Sequence, residues 1–359
     1  MPNTEIIKIT DPDSDQLNQL CDELRAMSST AQFLWPREQL KLCGRFGVYE
    51  WFLPPEFGGQ GWTQDQIVQG YLKLSASCLT TTFVITQYMG ACRRIAASTT
   101  EGLAASLLPD MVSGEKFSTV GISHLTTSRR HLAKPVLAAT EVEGGFILNG
   151  FSPWVTGGAH ADSVVVGATL DDGRQILAVV ETHMDGVSAP EPPRLVGLTG
   201  SQTGRFDLDN VFVSSHLIVG GPVENIMQSG VGAQVGGLQT STLAGGLATA
   251  AIDFLFQEAK NRPELLEPTE RLAEELNELR SVLAETARGS AACSLQELRV
   301  KSNSLALRST QAALAAAKGS GYIEGHPAGR WCQEALFFLV WSCPQPVLNA
   351  NLCELAGIQ

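Results

Sequence analysis

The chain has 359 residues, of which 44% are hydrophobic and 17% are charged, so it can bury a large core in two or three domains or in one composite unit. The formal net charge is −12 and Lys and Arg form no long clusters, which argues against binding to nucleic acid or to an anionic membrane. The eight cysteines include no CxxC pair, so we expect neither a disulfide framework nor a metal site.

The N-terminus lacks the long apolar core of a signal peptide, and no run of about 18 apolar residues predicts a membrane span. We therefore expect a soluble, cytoplasmic protein.

Residues 1–117 predict an N-terminal helical domain. A proline- and glycine-rich stretch at 49–62 predicts a loop between its helices. Apolar residues recur at helical spacing in segments 17–24, 40–46, 64–76, 80–97 and 102–112.

Residues 118–222 predict a central β domain, because the apolar runs shorten and Val, Thr, Gly and Asp become frequent. Within residues 142–162, Phe146, Ile147 and Leu148 predict one strand, and Asn149-Gly150 predicts the turn of a hairpin. A second strand is expected at 154–156, followed by Gly157-Gly158. Strands are also expected at 136–140, 163–168, 176–181 and 211–214, which together favour a small barrel or sandwich.

Residues 223–359 predict a C-terminal helical domain. We expect helices at 244–259, 271–292 and 294–317, a loop at 318–330 and a final helix at 331–339.

Several motifs appear in an order that resembles the acyl-CoA dehydrogenase superfamily. They are L-P-P-E-F-G-G-Q-G at 53–61, Leu108-Pro109 with Ser113-Gly114-Glu115, the W-V-T strand at 154–156, and L-V-G-L-T-G-S-Q-T-G-R-F-D-L-D-N-V-F-V at 195–213. The resemblance implies an α+β multidomain fold with an N-terminal helical domain, a central β-barrel or sandwich and a C-terminal four-helix bundle. It also implies an FAD cofactor, an acyl thioester as small-molecule substrate, a homodimer or homotetramer, and an electron-transfer partner.

Four residues are expected at the flavin by this resemblance. Trp154 would pack on the edge of the flavin ring, and Thr156 would hydrogen-bond near flavin N5, unless it is simply a strand threonine paired across the hairpin. Ser123 and His124 fall on positions that contact flavin in the family.

Two glycines, Gly319 and Gly321, match part of the family's turn at the FAD diphosphate of a neighbouring subunit. Lys318 stands where the family has a further glycine, and would either contact phosphate or end a helix in solvent. The arginines at 129–130 depart from the family pattern; they would bind an anionic ligand or belong to a surface turn.

The catalytic carboxylate of the family is missing from its usual place. Ser342 occupies the position of the glutamate, and a lone serine is a poor base. Some relatives carry the glutamate on an earlier helix, but the corresponding stretch, 234–242, has no carboxylate. The family's FAD-binding arginine motif is also not visible near Lys260 and Arg262. Glu334 remains a further candidate for the base.

Three functions follow from this pattern. The first is an FAD-dependent acyl-thioester oxidoreductase with a relocated base. The second is a flavin-dependent monooxygenase or oxidase of the same fold, for which His124 or His160 near the ring would matter; His160 would equally well cap the turn at Gly157-Gly158. The third is a non-catalytic protein that binds flavin or an acyl carrier.

Overall fold

A computed structural model describes residues 8–126, 135–230, 237–290 and 293–358. Its helices and strands follow the predicted order of a helical region, a sheet and a second helical region, so the predicted α+β class is confirmed. The largest buried cluster joins side chains from both helical regions and from the sheet, including Leu17, Val165 and Leu243. The division into domains at 117 and 222 stays a prediction, although the structure changes from helix to strand between Ser113 and Ser118.

The N-terminal helices carry clear start signals. Ser14 accepts a hydrogen bond from the backbone N–H of Leu17 at the start of α1, and Thr63 forms a capping box with Gln66 at the start of α3. The helices are α1 (Asp15–Met27), α2 (Arg37–Arg45), α3 (Gln64–Ser77), α4 (Leu79–Ala96) and α5 (Leu103–Ser113).

Helix α4 is the central element of this region. Most of its side chains are buried on all of its faces, because it packs against α3, α5, α7 and the first strand of the sheet. Two of its buried hydroxyls are satisfied locally: Thr82 Oγ1 donates to the Cys78 carbonyl and Thr86 Oγ1 donates to the Phe83 carbonyl.

The middle region forms one mixed sheet, with a single helical turn, α6, after its first strand. The strand order is β6-β7-β3-β2-β4-β5-β8, and β1 pairs with β4 in parallel. The elements are β1 (Ser118–Gly121), α6 (Ser123–Thr126), β2 (Leu137–Val142), β3 (Gly145–Thr156), β4 (Ser163–Thr169), β5 (Gln175–Glu181), β6 (Val187–Ser188), β7 (Thr203–Ser214) and β8 (Ile218–Val223).

The hairpin turn predicted at Asn149-Gly150 is wrong, because β3 is one continuous strand through that point. Gly150 does have a positive φ of 127°, but it sits at a bulge where β3 keeps its pairing with β2 on one side and β7 on the other. The hairpin turn lies instead at Glu143-Gly144, between β2 and β3. A glycine with positive φ is compatible with a β-bulge inside a strand and with a turn that reverses the chain direction. Because β3 pairs with a strand on each edge at this point, the glycine forms a bulge.

The C-terminal region also differs from the prediction. The helix before the expected loop extends to Gly321, with a break at Lys318. The expected final helix begins four residues earlier than predicted and is interrupted after Ala335. A further helix follows it. The elements are α7 (Gly237–Ala259), α8 (Leu266–Ala287), α9 (Leu295–Gly321), α10 (Pro327–Ala335), α11 (Phe337–Val340) and α12 (Gln345–Leu355). Helices α7, α8, α9 and α10 pack together through buried alanines and leucines.

The end of β3 is fixed to the N-terminal region at Gly157. A Cβ added there would lie 2.3 Å from Trp35 Cη2, and the φ of Gly157 is +63°. Trp35 in turn stacks on His160, with ring centroids 4.6 Å apart. Only glycine therefore fits at this junction.

We predict that Gly157→Ala lowers the free energy of unfolding by about 1–2 kcal/mol for the left-handed backbone and by about 1–3 kcal/mol more for the collision with Trp35. Gly173→Ala is the matched control, because Gly173 has a φ of +88° and nothing within 4 Å of the added Cβ. Denaturant unfolding of both variants measures the difference. Equal losses would show that the Trp35 contact is unimportant.

Candidate functional site

Two adjoining cavities lie where the sheet meets α4 and the C-terminal helices. The inner cavity has a volume of about 300 Å³ and extends to the buried side chains of Arg94 and Arg299. The outer cavity, of about 420 Å³, extends to the exposed side chains of Val196 and Val340. Six residues line both cavities and form their shared wall: Phe83, Ser123, Trp154, Phe337, Trp341 and Ser342.

Trp154 reaches this wall because of an irregularity in β3. Between Ser152 and Val155 the register against β7 shifts, so that β3 has one residue more than its partner. Bulges of this kind re-aim side chains. The Trp154 side chain stays 41% exposed, while its neighbour Val155 is buried in the sheet. The predicted flavin residue is therefore available for contact with a ligand in either cavity.

Thr156 lies deeper in the protein than Trp154. It is buried and lines neither cavity, and its Oγ1 lies 2.9 Å from Thr203 Oγ1, which in turn lies 2.8 Å from Ser201 Oγ. Ser201 and Thr203 line the outer cavity. These two hydroxyls were not predicted as site residues from the sequence, although they belong to the motif at 195–213. The role of Thr156 at the flavin stays a prediction.

Ser123 and His124 follow β1 on α6 and have different surroundings. Ser123 lines both cavities, and its buried Oγ has no hydrogen-bond partner in the described structure. His124 lines neither cavity. Its Nε2 lies 2.7 Å from the Gly167 carbonyl oxygen, and burial lowers the pKa of its imidazole, which favours the neutral ring. Ser123 is thus the better candidate for ligand contact.

His160 stacks on Trp35 and its Nε2 lies 2.6 Å from Gln202 Oε1. It lines neither cavity. Both of its contacts connect the end of β3 to neighbouring segments. These contacts give His160 a structural role that requires no ligand.

Ser342 lies between α11 and α12 and lines both cavities. Its φ is +43°, an uncommon value for a non-glycine residue. The preceding segment is held against α9, because Arg299 Nη2 donates to the Trp341 carbonyl and Asn303 Nδ2 donates to the Phe338 carbonyl, both at 3.0 Å. The position expected for the catalytic glutamate is therefore at the shared wall, but it carries a hydroxyl.

Glu334 is buried close to Arg330. Its carboxylate lies 3.7 Å from Arg330 Nε, both side chains are buried, and Glu334 lines neither cavity. Burial raises the pKa of Glu334 from 4.5 to about 7, against the opposing effects of Arg330 and a hydrogen bond with Thr80. Its predicted role as a base stays untested, and its geometry is that of a buried ion pair.

No aspartate, glutamate or histidine lines either cavity among the residues that the structure describes. Two nearby parts of the sequence analysis lie outside the described residues, namely segments 127–134 and 231–236. The first contains Arg129 and Arg130, and the second contains the start of the 234–242 stretch. Neither segment contains Asp or Glu. Gln239 and Thr240, from the remainder of that stretch, line the inner cavity. In the described parts of the chain, no cluster of His, Cys, Asp or Glu could hold a metal ion.

The glycines expected at the FAD diphosphate lie at the end of α9. Apart from its sequence neighbours and its own helix backbone, Gly319 has no described atom within 4 Å of an added Cβ, whereas one at Gly321 would lie 2.6 Å from Ala317 Cβ. Neither glycine lines a cavity of this chain, and Lys318 breaks the helix with a φ of +56°. Tyr322 next to them is 87% exposed. Their contact with a cofactor across a subunit interface stays a prediction.

The chain resembles known proteins in sequence and in structure. It is 26% identical to the mitochondrial isovaleryl-CoA dehydrogenase of Solanum tuberosum over 330 residues, which cover 83% of this chain and 77% of the relative. The solved butyryl-CoA dehydrogenase of Megasphaera elsdenii superposes with a TM-score of 0.81 at 18% identity, over 98% of this chain and 99% of that one.

A glutaryl-CoA dehydrogenase from Mycobacterium smegmatis, solved in complex with FADH2, has a TM-score of 0.78 at 18% identity and covers 96% of both chains. No protein-family model matches the chain. These relatives and solved structures, to which the chain is similar, are dehydrogenases of the acyl-CoA dehydrogenase superfamily. The helix–sheet–helix order of the chain is the fold of these dehydrogenases, and the suspected resemblance is confirmed.

Within the described residues, no helix combines the length and the apolar character needed to cross a bilayer. The expected cytoplasmic location stays a prediction, since the plant relatives are named as mitochondrial.

The buried Glu334 gives a testable pH dependence. Because its folded-state pKa lies above 4.5, its protonated form stabilises the protein below that pH, and this stabilisation is lost as the pH rises towards 7. The loss is on the order of 3 kcal/mol at most. We expect Glu334→Gln to remove this part of the pH dependence of unfolding between pH 4.5 and 7.

The control is Glu324→Gln, at an exposed position in the turn before α10. Unfolding free energies at several pH values measure the slopes. If Glu334→Gln and the wild type lose stability in parallel, Glu334 does not titrate in this range.

Proposed function

We propose that the two cavities hold the flavin of FAD and an acyl thioester substrate on either side of their shared wall. The protein is an acyl-CoA dehydrogenase-like flavoprotein oxidoreductase, and FAD is its cofactor. The observation that carries the finer proposal is the position of Trp154, whose exposed ring lies between two cavities that are both lined mainly by apolar side chains.

The residues at the shared wall fit a flavin. Trp154 offers an aromatic surface for a planar ring, and Ser123 offers a buried hydroxyl without a partner, which a ligand atom would satisfy. The linked hydroxyls of Ser201 and Thr203 offer further hydrogen bonds at the outer cavity. Bound FAD would supply a hydride acceptor at this position.

The apolar part of the wall orients substrate and limits the access of water. Phe83 packs edge-on against Phe337 and Trp341, with centroids 4.8 and 4.9 Å away. Removing water strengthens each polar contact inside the cavities. These rings would hold an acyl group against the cofactor.

Proton removal is the step for which the lining residues provide no base. Among those described, the polar side chains are hydroxyls, amides and two arginines, none of which accepts a proton readily at neutral pH. This supports a reaction that does not depend on a carboxylate at position 342, and it favours the second candidate function, a flavin-dependent monooxygenase or oxidase. A non-catalytic protein that binds flavin or an acyl carrier is the third.

The assembly is part of the same proposal. Tyr322 and Ile323 are 87% and 66% exposed beside the glycines at the end of α9, and exposed apolar side chains of this kind support a homodimer or homotetramer. Contact between FAD and Gly319 or Gly321 of a neighbouring subunit would follow from such an assembly, as would an electron-transfer partner for a dehydrogenase.

We expect the purified protein to bind FAD and Trp154→Ala to weaken this binding about tenfold, because the ring loses its aromatic contact. Phe212→Ala is the control: Phe212 is 48% exposed on β7 of the same sheet and lines neither cavity. Titration with FAD, followed by the visible flavin spectrum, gives both affinities. Equal losses would remove Trp154 from the flavin site, and absence of FAD binding would leave only the third function.

The same holoprotein distinguishes the first two functions. Bleaching of the flavin by butyryl-CoA without oxygen supports the dehydrogenase-like reaction. If butyryl-CoA leaves the flavin oxidised and chemically reduced flavin is reoxidised rapidly by oxygen, the monooxygenase or oxidase is supported instead.

A further inference from the structure

One face of α4 forms a side of the inner cavity. Phe83, Gln87, Gly90 and Arg94 line the cavity and follow one another at intervals of three or four residues, so they share one face of the helix. Phe83 belongs to the shared wall, and Gln87 lies one helical turn further along this face. A ligand that extends from the shared wall into the inner cavity would therefore meet the amide of Gln87.

The hydrogen bonds around Gln87 fix the orientation of this amide. Thr86 Oγ1 lies 2.6 Å from the Phe83 carbonyl oxygen, to which it donates its only hydrogen. Thr86 Oγ1 can therefore only accept from Gln87, and the amide atom that lies 2.9 Å from it must be the donor Nε2. The other amide atom, Oε1, has no hydrogen-bond partner among the described residues.

A free amide oxygen of this kind discriminates between ligands. Gln87 is partly buried, so a plain alkyl chain packed against it would take Oε1 out of water without replacing its hydrogen bond. A ligand that carries a hydrogen-bond donor would satisfy the oxygen. Sites that bind a substrate hydroxyl through hydrogen bonds reject the analogue without the hydroxyl far more strongly than apolar pockets separate chains by length.

The charge of the inner cavity limits which donor fits. Its lining includes the buried guanidinium groups of Arg94 and Arg299 and, among the described residues, no carboxylate. An ammonium group would add a further positive charge at short range in a site of low dielectric constant. A hydroxyl can donate to Gln87 Oε1 without this repulsion. The lining therefore favours a neutral donor.

We propose that the inner cavity takes an acyl group that carries a hydroxyl, and that this hydroxyl donates a hydrogen bond to Gln87 Oε1. This inference rests on the proposed function, because that function puts the acyl thioester at the shared wall. It adds a substrate class, the hydroxylated acyl thioesters, and the residue that selects it.

The test compares thioesters of equal chain length with and without a hydroxyl. 3-Hydroxybutyryl-CoA, 4-hydroxybutyryl-CoA and 6-hydroxyhexanoyl-CoA are titrated into the FAD-loaded protein by calorimetry, against butyryl-CoA and hexanoyl-CoA. We expect at least one hydroxylated thioester to bind about ten- to a hundredfold more tightly than its parent. A cavity without a free acceptor would give the opposite sign, because a hydroxyl that leaves water loses hydrogen bonds. If every parent binds as tightly as its hydroxylated counterparts or more tightly, the inference is overturned and the proposed function stands.

Two variants at position 87 identify the residue responsible. Gln87→Leu should remove the preference, because leucine has no acceptor, and Gln87→Asn should keep only part of it, because its amide is shorter by one methylene group. Gln19→Leu is the control, since Gln19 is exposed on α1 and lines neither cavity. A preference of the wild-type size in Gln87→Leu would overturn the assignment. If Gln87→Leu does not fold, the wild type and Gln87→Asn decide the matter.

Failure of the proposed function gives a different result. If neither class of thioester binds, the acyl-thioester function fails, and the cavity is then probed with 1-hexanol and with its methyl ether, which cannot donate a hydrogen bond. A rise in the thermal unfolding midpoint of the wild type with the alcohol but not with the ether, absent in Gln87→Leu, would keep Gln87 as a hydroxyl site. No difference between alcohol and ether in the wild type would overturn that site as well.

Discussion

The enclosure of α4 is the constraint on which the site depends. This helix is covered by helices on several sides and by β1, so its polar side chains must find partners inside the protein. Thr82 and Thr86 do so through carbonyls in the preceding turn. Within the described part of the chain Arg94 does not, since only its Nη1 has a hydrogen-bond partner. The helix thus contributes both the rigid wall of the inner cavity and its one unsatisfied cation among the described residues.

Sequence reasoning reached much of the fold because the signals were strong and local. Apolar residues at helical spacing predicted α1 and α4, and the motif containing Trp154 predicted the strand that ends at Thr156. The turn at Asn149-Gly150 was wrong because a glycine that tolerates positive φ is compatible with a bulge and with a reversal alike. Only the neighbouring strands β2 and β7 decide between them.

Fewer residues of the candidate site could be predicted from the sequence. The hydroxyl chain from Thr156 to Ser201 spans strands that are far apart in sequence and become neighbours only through the pairing of β3 with β7. Arg94 gave no signal either, because an arginine near the end of an apolar helix usually extends into solvent. Its burial depends on how β1 packs over α4, and the spacing of apolar residues in one sequence does not contain that information.

Among the described residues, the lining of the two cavities contains no carboxylate. The fold is that of acyl-CoA dehydrogenases, yet Ser342 stands at the shared wall where a base would be expected, and Glu334 is paired with Arg330 instead. A lone serine hydroxyl without a His or Lys partner is a poor base for proton abstraction.

A crystal structure of the protein grown with FAD tests the central claim most directly. We expect the flavin ring against Trp154 at the shared wall, with the inner cavity open beside it and no aspartate or glutamate of the chain in contact with that cavity. A flavin bound elsewhere, or a carboxylate brought to the wall beside Ser342, would contradict the account.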